Sequence, residues 1–280
     1  MEFFKEIQSL KAFLSQKGNS ISIGLVPTMG ALHAGHLSLI EASKRENQLT
    51  VCSIFVNPAQ FNNPKDLEKY PRTLNRDVEM LKNSGCDAVF APDAKEMYES
   101  EPTIKFDFGE LDKILEGKFR PGHFSGVALV VAKFFHIIKP TIAYFGQKDF
   151  QQFKIIERLV TELKFDLQLK SMPILREADG LAMSSRNMRL NETERKKATV
   201  FYQSLSEAKK LLNSGKKISQ VRDIVKQKCE SVDGIKLDYF ELANVENLKP
   251  TESVTDKTIL LIAGFVGEIR LIDNLLLNEN

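Results

Sequence analysis

The order of apolar segments predicts an α/β protein: a parallel-sheet domain followed by a second, smaller α+β domain. Three observations carry this. Strand-like and helix-like runs alternate through the first two-thirds of the 280-residue chain. Polar, glycine-bearing clusters follow the strand candidates, as expected of loops at the carboxyl edge of a parallel sheet. Beyond about Arg176 the alternation stops, and two helical patterns are followed by three strand patterns.

Ile21–Val26 is an apolar run of strand length. A helix is expected from about Gly35, with Leu37, Leu39, Ile40 and Ala42 on its core face. Leu49–Val56 is rich in β-branched residues and reads as a second strand. Asn62–Asp66 reads as an exposed loop. Leu74, Val78 and Leu81 recur at helical spacing, and Gly85 supplies a C-terminal stop. Ala88–Ala91 is a short strand before Pro92. Val127–Ile138 is apolar nearly all round, which predicts a deeply buried helix ended by Pro140. Thr141–Phe145, Phe150–Leu163 and Leu167–Met172 then read as strand, helix and strand. Right-handed crossovers between such strands give a parallel sheet.

In the remainder, Glu192–Leu212 and Ile218–Ser231 read as helices with one polar face. Leu237–Ala243, which alternates only loosely, Thr258–Ala263 and Glu268–Ile272 read as strands. The domain boundary is expected between Pro173 and Asn191, giving domains 1–175 and 176–280.

Lys plus Arg is 39 and Asp plus Glu is 37, so the charge is nearly balanced and argues against nucleic acid as a main partner. Cys52, Cys86 and Cys229 show no metal-ligand spacing, and the first two lie in or beside apolar strand candidates. This usage predicts a reducing cytoplasm. The first residues, Met1 to Lys5, lack a signal-peptide layout, and no apolar run is long enough to span a bilayer. A soluble protein without membrane association is expected.

The most informative stretch is Pro27-Thr28-Met29-Gly30-Ala31-Leu32-His33-Ala34-Gly35-His36. Two imidazoles stand three residues apart where a strand hands over to a helix. Helix N-termini present free N–H groups and a positive dipole end, which suit phosphate. Gly30 and Gly35 leave room for a ligand against the backbone. This HxGH signature points to chemistry at a nucleoside triphosphate.

Other polar clusters follow the other strands. Asn57 to Phe61 follows the second, and Gly146-Gln147-Lys148-Asp149 follows Thr141–Phe145. Lys148 can neutralise phosphate, and Asp149 can accept hydrogen bonds from ribose hydroxyls. Gln60 and Gln152 each donate and accept, which suits a hydroxyl beside a carboxylate in a small acid. Met183-Ser184-Ser185-Arg186 offers two hydroxyls and a guanidinium as a pyrophosphate clamp, although a serine there also suits a helix cap. Glu116 to Phe124 reads as a Gly- and Pro-punctuated loop that could close over a site.

Taken together, PTMGALHAGH, VNPAQF, YPRT, LEGKFRPGHFSGV, YFGQKDFQQ, READGLAMSSRN and RLIDN make the chain resemble the pantothenate synthetase (pantoate–β-alanine ligase) family over nearly its full length. The resemblance implies a Rossmann-like domain of the HxGH nucleotidylyltransferase superfamily, a C-terminal lid domain and a homodimer. It implies a ligase that joins D-pantoate and β-alanine through a pantoyl adenylate, consuming ATP and releasing AMP and pyrophosphate.

Carried onto this sequence, the resemblance implies an ATP site of Met29, Gly30, Ala31, Leu32, His33, Ala34, Gly35, His36, Gly146, Gln147, Lys148, Asp149, Leu175, Met183, Ser184, Ser185 and Arg186. His36, His33 and Lys148 are the expected catalytic residues. Gln60 and Gln152 would bind pantoate, and Gln60 also β-alanine. Mg2+ is expected to enter with ATP, with Asp77 a candidate protein contact. Two other readings share the HxGH: a nucleotidylyltransferase that stops after AMP transfer, and a non-catalytic nucleotide-binding regulator. The first wants a basic pocket for an acceptor phosphate, whereas the paired glutamines suit an unphosphorylated acid.

Overall fold

The computed structural model describes residues 1–18 and 20–278; the last two residues of the expected C-terminal domain, 279 and 280, lie outside them. Six strands form one sheet: β1 (Glu2–Phe4), β2 (Ile23–Thr28), β3 (Leu49–Ile54), β4 (Ala88–Phe90), β5 (Ile142–Gly146) and β6 (Gln168–Met172). Every pairing is parallel, and the order is β1-β4-β3-β2-β5-β6. β2 therefore lies between β3 and β5, and successive strands add to one side of it and then the other. That reversal is the switch point at which open parallel sheets bind ligands.

The helices of this part are α1 (Ile7–Gln16), α2 (Ala34–Glu46), α3 (Pro64–Glu68), α4 (Leu74–Asn83), α5 (Ala94–Met97), α6 (Leu115–Phe119), α7 (His123–Ile138) and α8 (Phe150–Leu163). One apolar cluster joins Leu25, Val51, Phe90 and Ala143 to Val127, Val131, Phe134 and Phe135 of α7. A second joins Val26, Cys52 and Val89 to Leu39 and Ile40 of α2 and Leu81 of α4. The alternation along β2, β3 and β4 thus feeds both faces, which is why these strands read as nearly continuous apolar runs.

Local chemistry ends the helices where expected. α4 stops at Ser84, and Gly85 follows with φ +72°. α7 stops at Lys139 in the left-handed region before Pro140. The segment 62–66 is not a loop throughout. Pro64 opens α3, and the Asn63 side chain accepts the Lys65 N–H at 3.0 Å, so a capped single turn forms. The segment 116–124 is likewise largely helical, split between α6 and the start of α7. β1 and α1 are further elements; three strand residues are too few to show a period.

In the C-terminal part β7 (Ile235–Asn244), β8 (Thr258–Val266) and β9 (Ile269–Leu276) form an antiparallel sheet in that order. The loose alternation of β7 has a physical source: its register against β8 shifts between Leu237 and Tyr239. α10 (Val200–Asn213) and α11 (Ile218–Glu230) pack Leu205, Ala208, Val221 and Val225 against Leu242, Leu260 and Ile262. The single helix expected over 192–212 is two, because α9 (Glu192–Ala198) ends before Thr199. The Thr199 hydroxyl and N–H both donate to the Lys196 carbonyl, at 2.8 and 3.4 Å, which tightens the turn.

By contact density the chain divides into two compact units. One comprises Met1–Gln147 and Gln151–Pro173; the other comprises Lys148–Phe150 and Ile174–Asn280.

Candidate active site

The turn after β2 is built by successive left-handed residues, Gly30 at φ +80° and Ala31 at φ +50°. A Cβ on Gly30 would lie 3.0 Å from Asp77 Oδ2 and 3.1 Å from Ile54 Cγ2, so only glycine fits there without strain. Thr28 starts the turn: its hydroxyl donates to the Ser53 carbonyl at 2.7 Å and accepts the Gly30 N–H at 3.2 Å. Asp77 completes it from α4. Its Oδ2 accepts the Ala31 N–H at 2.9 Å and its Oδ1 the Leu32 N–H at 2.8 Å. Thr73 Oγ1 donates to both oxygens, at 3.0 and 3.1 Å. The carboxylate is buried, so these charge-assisted bonds are shielded from competing water.

The turn delivers His33 to the N-cap position of α2 and His36 to its third residue. The His33 N–H donates to His36 Nδ1 at 3.4 Å, and the two rings lie 4.0 Å apart between centroids. With Nδ1 accepting, a neutral His36 ring carries its proton on Nε2 as a donor. Ala34 and Gly35 form the first turn between them, with Ala34 exposed.

Gln60 is buried on the turn Pro58–Gln60 after β3. Its Nε2 donates to Met29 Sδ at 3.2 Å, which brings the second motif to the first. Its Oε1 accepts from Asn57 Nδ2 at 3.1 Å. Asn57 also donates to the Gly126 carbonyl at 3.0 Å and accepts from the Tyr98 hydroxyl at 2.8 Å. Burial pushes the Tyr98 hydroxyl up to about 12, so it stays protonated as a donor. His123 opens α7 and contacts the Gln60 carbonyl through Nδ1 at 2.8 Å, while Arg120 reaches its Nε2 at 3.1 Å. Since Arg120 can only donate, Nε2 accepts and Nδ1 carries the proton given to Gln60. A Cβ on Gly126 would sit 2.2 Å from the Ala59 carbonyl oxygen, so this glycine lets α7 lie against the turn.

β5 ends at Gly146, and Gln147 is buried immediately after it. Gln152 is partly buried in the first turn of α8. Its neighbour Gln151 has a structural job: Oε1 accepts the Glu116 N–H and Nε2 donates to the Leu111 and Ile114 carbonyls.

The other expected nucleotide residues belong to the second unit. The Lys148 ammonium is mostly covered and lies 3.7 Å from Asp149 Oδ2. Leu175 to Met183 form a tight hairpin: the Met183 N–H donates to the Leu175 carbonyl at 3.0 Å, and Arg176 pairs with Ala182. Gly180, at φ +89°, would clash with the Tyr202 ring if it bore a Cβ. Ser184 caps the turn Ser185–Arg189 by accepting the Arg186 N–H at 3.3 Å. Met183, Ser184, Ser185 and Arg186 are all partly exposed, whereas Leu175 is exposed.

Two supports in this unit come from β9. Asp273 takes the Arg176 guanidinium on both oxygens, at 2.7 and 3.0 Å. Burial pushes the Asp273 carboxyl up, and the Arg176 charge pulls against it. The Asn274 side chain donates to the Lys148 carbonyl at 2.9 Å.

Among the described residues no group of three or more His, Cys, Asp or Glu side chains is gathered for a metal ion. Both Asp77 oxygens already receive N–H and O–H donors, so its geometry is that of a backbone anchor. The cysteines are buried, and burial raises all three thiols, Cys86 to about 11. Among the described residues no helix is long and apolar enough to cross a membrane. Asn57, Tyr98 and His123 support Gln60, and Asp273 and Asn274 are supports in the second unit. VNPAQF, LEGKFRPGHFSGV and RLIDN contain all of these except Tyr98, without showing their partners.

Residues 2–276 match the family model for pantoate-beta-alanine ligase. The pantothenate synthetase of Thermosipho melanesiensis is 48% identical over 280 residues, covering 99% of each chain. That of Cytophaga hutchinsonii is 46% identical over 275 residues, covering 97% of each. Among solved structures, pantothenate synthetase from Thermus thermophilus aligns with a TM-score of 0.94 at 38% identity, covering 100% of both chains. Pantoate-beta-alanine ligase from Francisella tularensis, in complex with beta-gamma ATP and beta-alanine, aligns with a TM-score of 0.84 at 34% identity, covering 100% of this chain and 99% of that one. A six-stranded parallel sheet with an HxGH turn, a buried Gln60 and a match from end to end lead to one conclusion: the chain belongs to the pantoate–β-alanine ligase family.

Proposed function

We propose that this ligase condenses D-pantoate with β-alanine to pantothenate through a pantoyl adenylate, with ATP converted to AMP and pyrophosphate. The observation that carries the reading is the Asp77-anchored turn, which presents His33 and His36 at the start of α2 beside the sheet's switch point. The ATP and β-alanine held by the Francisella relative support it for this chain.

A pantoate carboxylate oxygen attacks the α-phosphorus. An O–P bond forms, and the bond to pyrophosphate breaks. The His36 Nε2–H and the main-chain N–H groups of Ala34 and Gly35 in the first turn of α2 donate to phosphate oxygens as charge shifts toward the leaving group. Lys148 and Arg186 neutralise the departing pyrophosphate, and the Ser184 and Ser185 hydroxyls donate hydrogen bonds to it. Met29 to Gly35, Gly146, Gln147, Asp149, Leu175 and Met183 complete the nucleotide contacts. The β-alanine amine then attacks the acyl carbon, a C–N bond forms, AMP leaves, and the amine gives up a proton. Gln60 holds pantoate and β-alanine, and Gln152 holds pantoate.

Mg2+ is expected with ATP, where phosphate oxygens would hold it and it would neutralise part of their charge; Asp77 is committed to the Ala31 and Leu32 N–H groups and the Thr73 hydroxyl. In this reading residues 1–175 bind ATP and pantoate, and 176–280 act as a lid. Cytoplasmic location and a homodimer belong to the same reading, and sedimentation tests the latter.

Pantoate-dependent exchange of pyrophosphate into ATP tests the function. Exchange that requires pantoate supports adenylation of this acid. Exchange with another acid alone, or none, overturns it. Gln60→Ala and Gln152→Ala should weaken pantoate use far more than ATP binding, by calorimetric titration.

A further inference from the structure

Two neighbouring residues of β9 hold two separate pieces of the proposed nucleotide machinery. Neighbours on a strand point to opposite faces. Asp273 and Asn274 use this to reach different partners, and both are buried. The Arg176 guanidinium on Asp273 also donates to the Gly180 carbonyl at 3.1 Å and the Asn274 carbonyl at 3.1 Å. It lies 4.0 Å over the Tyr202 ring. Arg176 is thereby fixed in plane, and with it the hairpin that leads to Met183–Arg186. On the other face, Asn274 Nδ2 donates to the carbonyl of Lys148. Lys148 to Phe150 group with this unit, although the chain on both sides does not.

We propose that Asn274 is a positioning residue for Lys148: its amide fixes the Lys148 main chain, while Asp273 fixes the hairpin that carries the Ser184–Arg186 clamp, so one dipeptide of β9 sets both phosphate-binding pieces of the unit. The proposal rests on the reading of Lys148 as a phosphate ligand. A long, flexible ammonium gains catalytic value only when its stem starts from a defined place. The Lys148 carbonyl without its donor leaves the three-residue turn free to drift.

The test is a double-mutant cycle on pantoate-dependent ATP–pyrophosphate exchange. Rates are referred to the folded fraction measured by circular dichroism, and Asn274→Ala, Lys148→Ala and the double variant are compared. Asn274→Ala should slow exchange about tenfold in the parent, the effect of one lost hydrogen bond. In the Lys148→Ala background it should slow it less than about twofold, because its target is gone. Asn274→Ser, which keeps a short donor, should recover part of the loss. Equal losses in both backgrounds, or an Asn274→Ala enzyme as fast as the parent, overturn the proposal. Undiminished exchange in Lys148→Ala instead overturns the phosphate role of Lys148 itself, which separates the two failures.

Discussion

Asp77 and Ala31 are joined by a hydrogen bond of 2.9 Å from the Ala31 N–H to Oδ2, and Ala31 is held there in a left-handed conformation. The same carboxylate takes the next N–H, that of Leu32. A buried anion thus offsets the cost of an unfavourable backbone just ahead of the histidine pair.

Asp77→Asn replaces one acceptor by an NH2 group facing an N–H donor. Unfolding in urea should show a loss of about 1–3 kcal/mol, as for a buried donor left unsatisfied. Pantoate-dependent exchange should fall more than stability alone explains, because the turn that presents His33 and His36 relaxes. A folded variant with full exchange would show that the turn holds its shape unaided.

His36→Ala should leave folding intact and slow adenylate formation by roughly 10²–10³, the usual effect of deleting one preorganised donor. Single-turnover formation of the adenylate is the measurement. A rate near that of the parent would remove His36 from the chemistry.

Gly126→Ala places a methyl group 2.2 Å from the Ala59 carbonyl oxygen. α7 and the turn Pro58–Gln60 must separate, at a cost of about 1–3 kcal/mol. Since His123 and Asn57 hold Gln60 from the same elements, KM for pantoate should rise while KM for ATP changes little. Steady-state kinetics with each substrate varied distinguishes this from a general loss.

Arg186→Ala should slow adenylation, and Ser184→Ala should do so more mildly, because guanidinium can bridge two phosphate oxygens while a hydroxyl donates once. Hydrogen exchange across 181–187 should slow when ATP is bound. Unchanged protection with normal rates in both variants would reduce the segment to a linker.

Glu46 carries a pH prediction. Hydrogen bonds from Lys170 and Tyr144 hold its carboxyl below the ordinary glutamate range, with lengths of 2.8 and 2.5 Å. A lowered folded-state pKa means that the unfolded chain binds the proton more tightly. The stabilisation is therefore present above about pH 4.3, the ordinary glutamate value, and is lost as the pH falls through the lower folded value. Melting temperatures of the parent and Glu46→Gln should differ slightly at neutral pH and converge in acid. The difference should be small, as the pair is over a third exposed. A gap that widens in acid would contradict the assignment.

The parallel sheet is legible in the sequence because its central strands β2, β3 and β4 are buried along nearly their whole length, so each stands out as an apolar run. The HxGH turn is legible because its informative residues are adjacent. Asp77 is legible as an acid but not as an anchor, since its N–H donors lie 45 and 46 residues away. Asn274 is further removed, 126 residues from the carbonyl it holds. Such supports depend on how strands and helices come together, which no local pattern reports. The break at Thr199 escapes for another reason: both sides keep a helical period, and one hydroxyl bonded back to Lys196 decides it.

The chain enters the second unit at Lys148, leaves it after Phe150 and returns at Ile174. No single cut therefore parts the two units. A fragment ending at Pro173 keeps the lysine and loses the strand on which its carbonyl is mounted. A fragment beginning at Ile174 keeps the mount with nothing to carry. Exchange of C-terminal halves between relatives would likewise renew the mount beneath an unchanged lysine. A working chimera has to be matched at two places in the chain, around residues 147–151 as well as at the visible boundary.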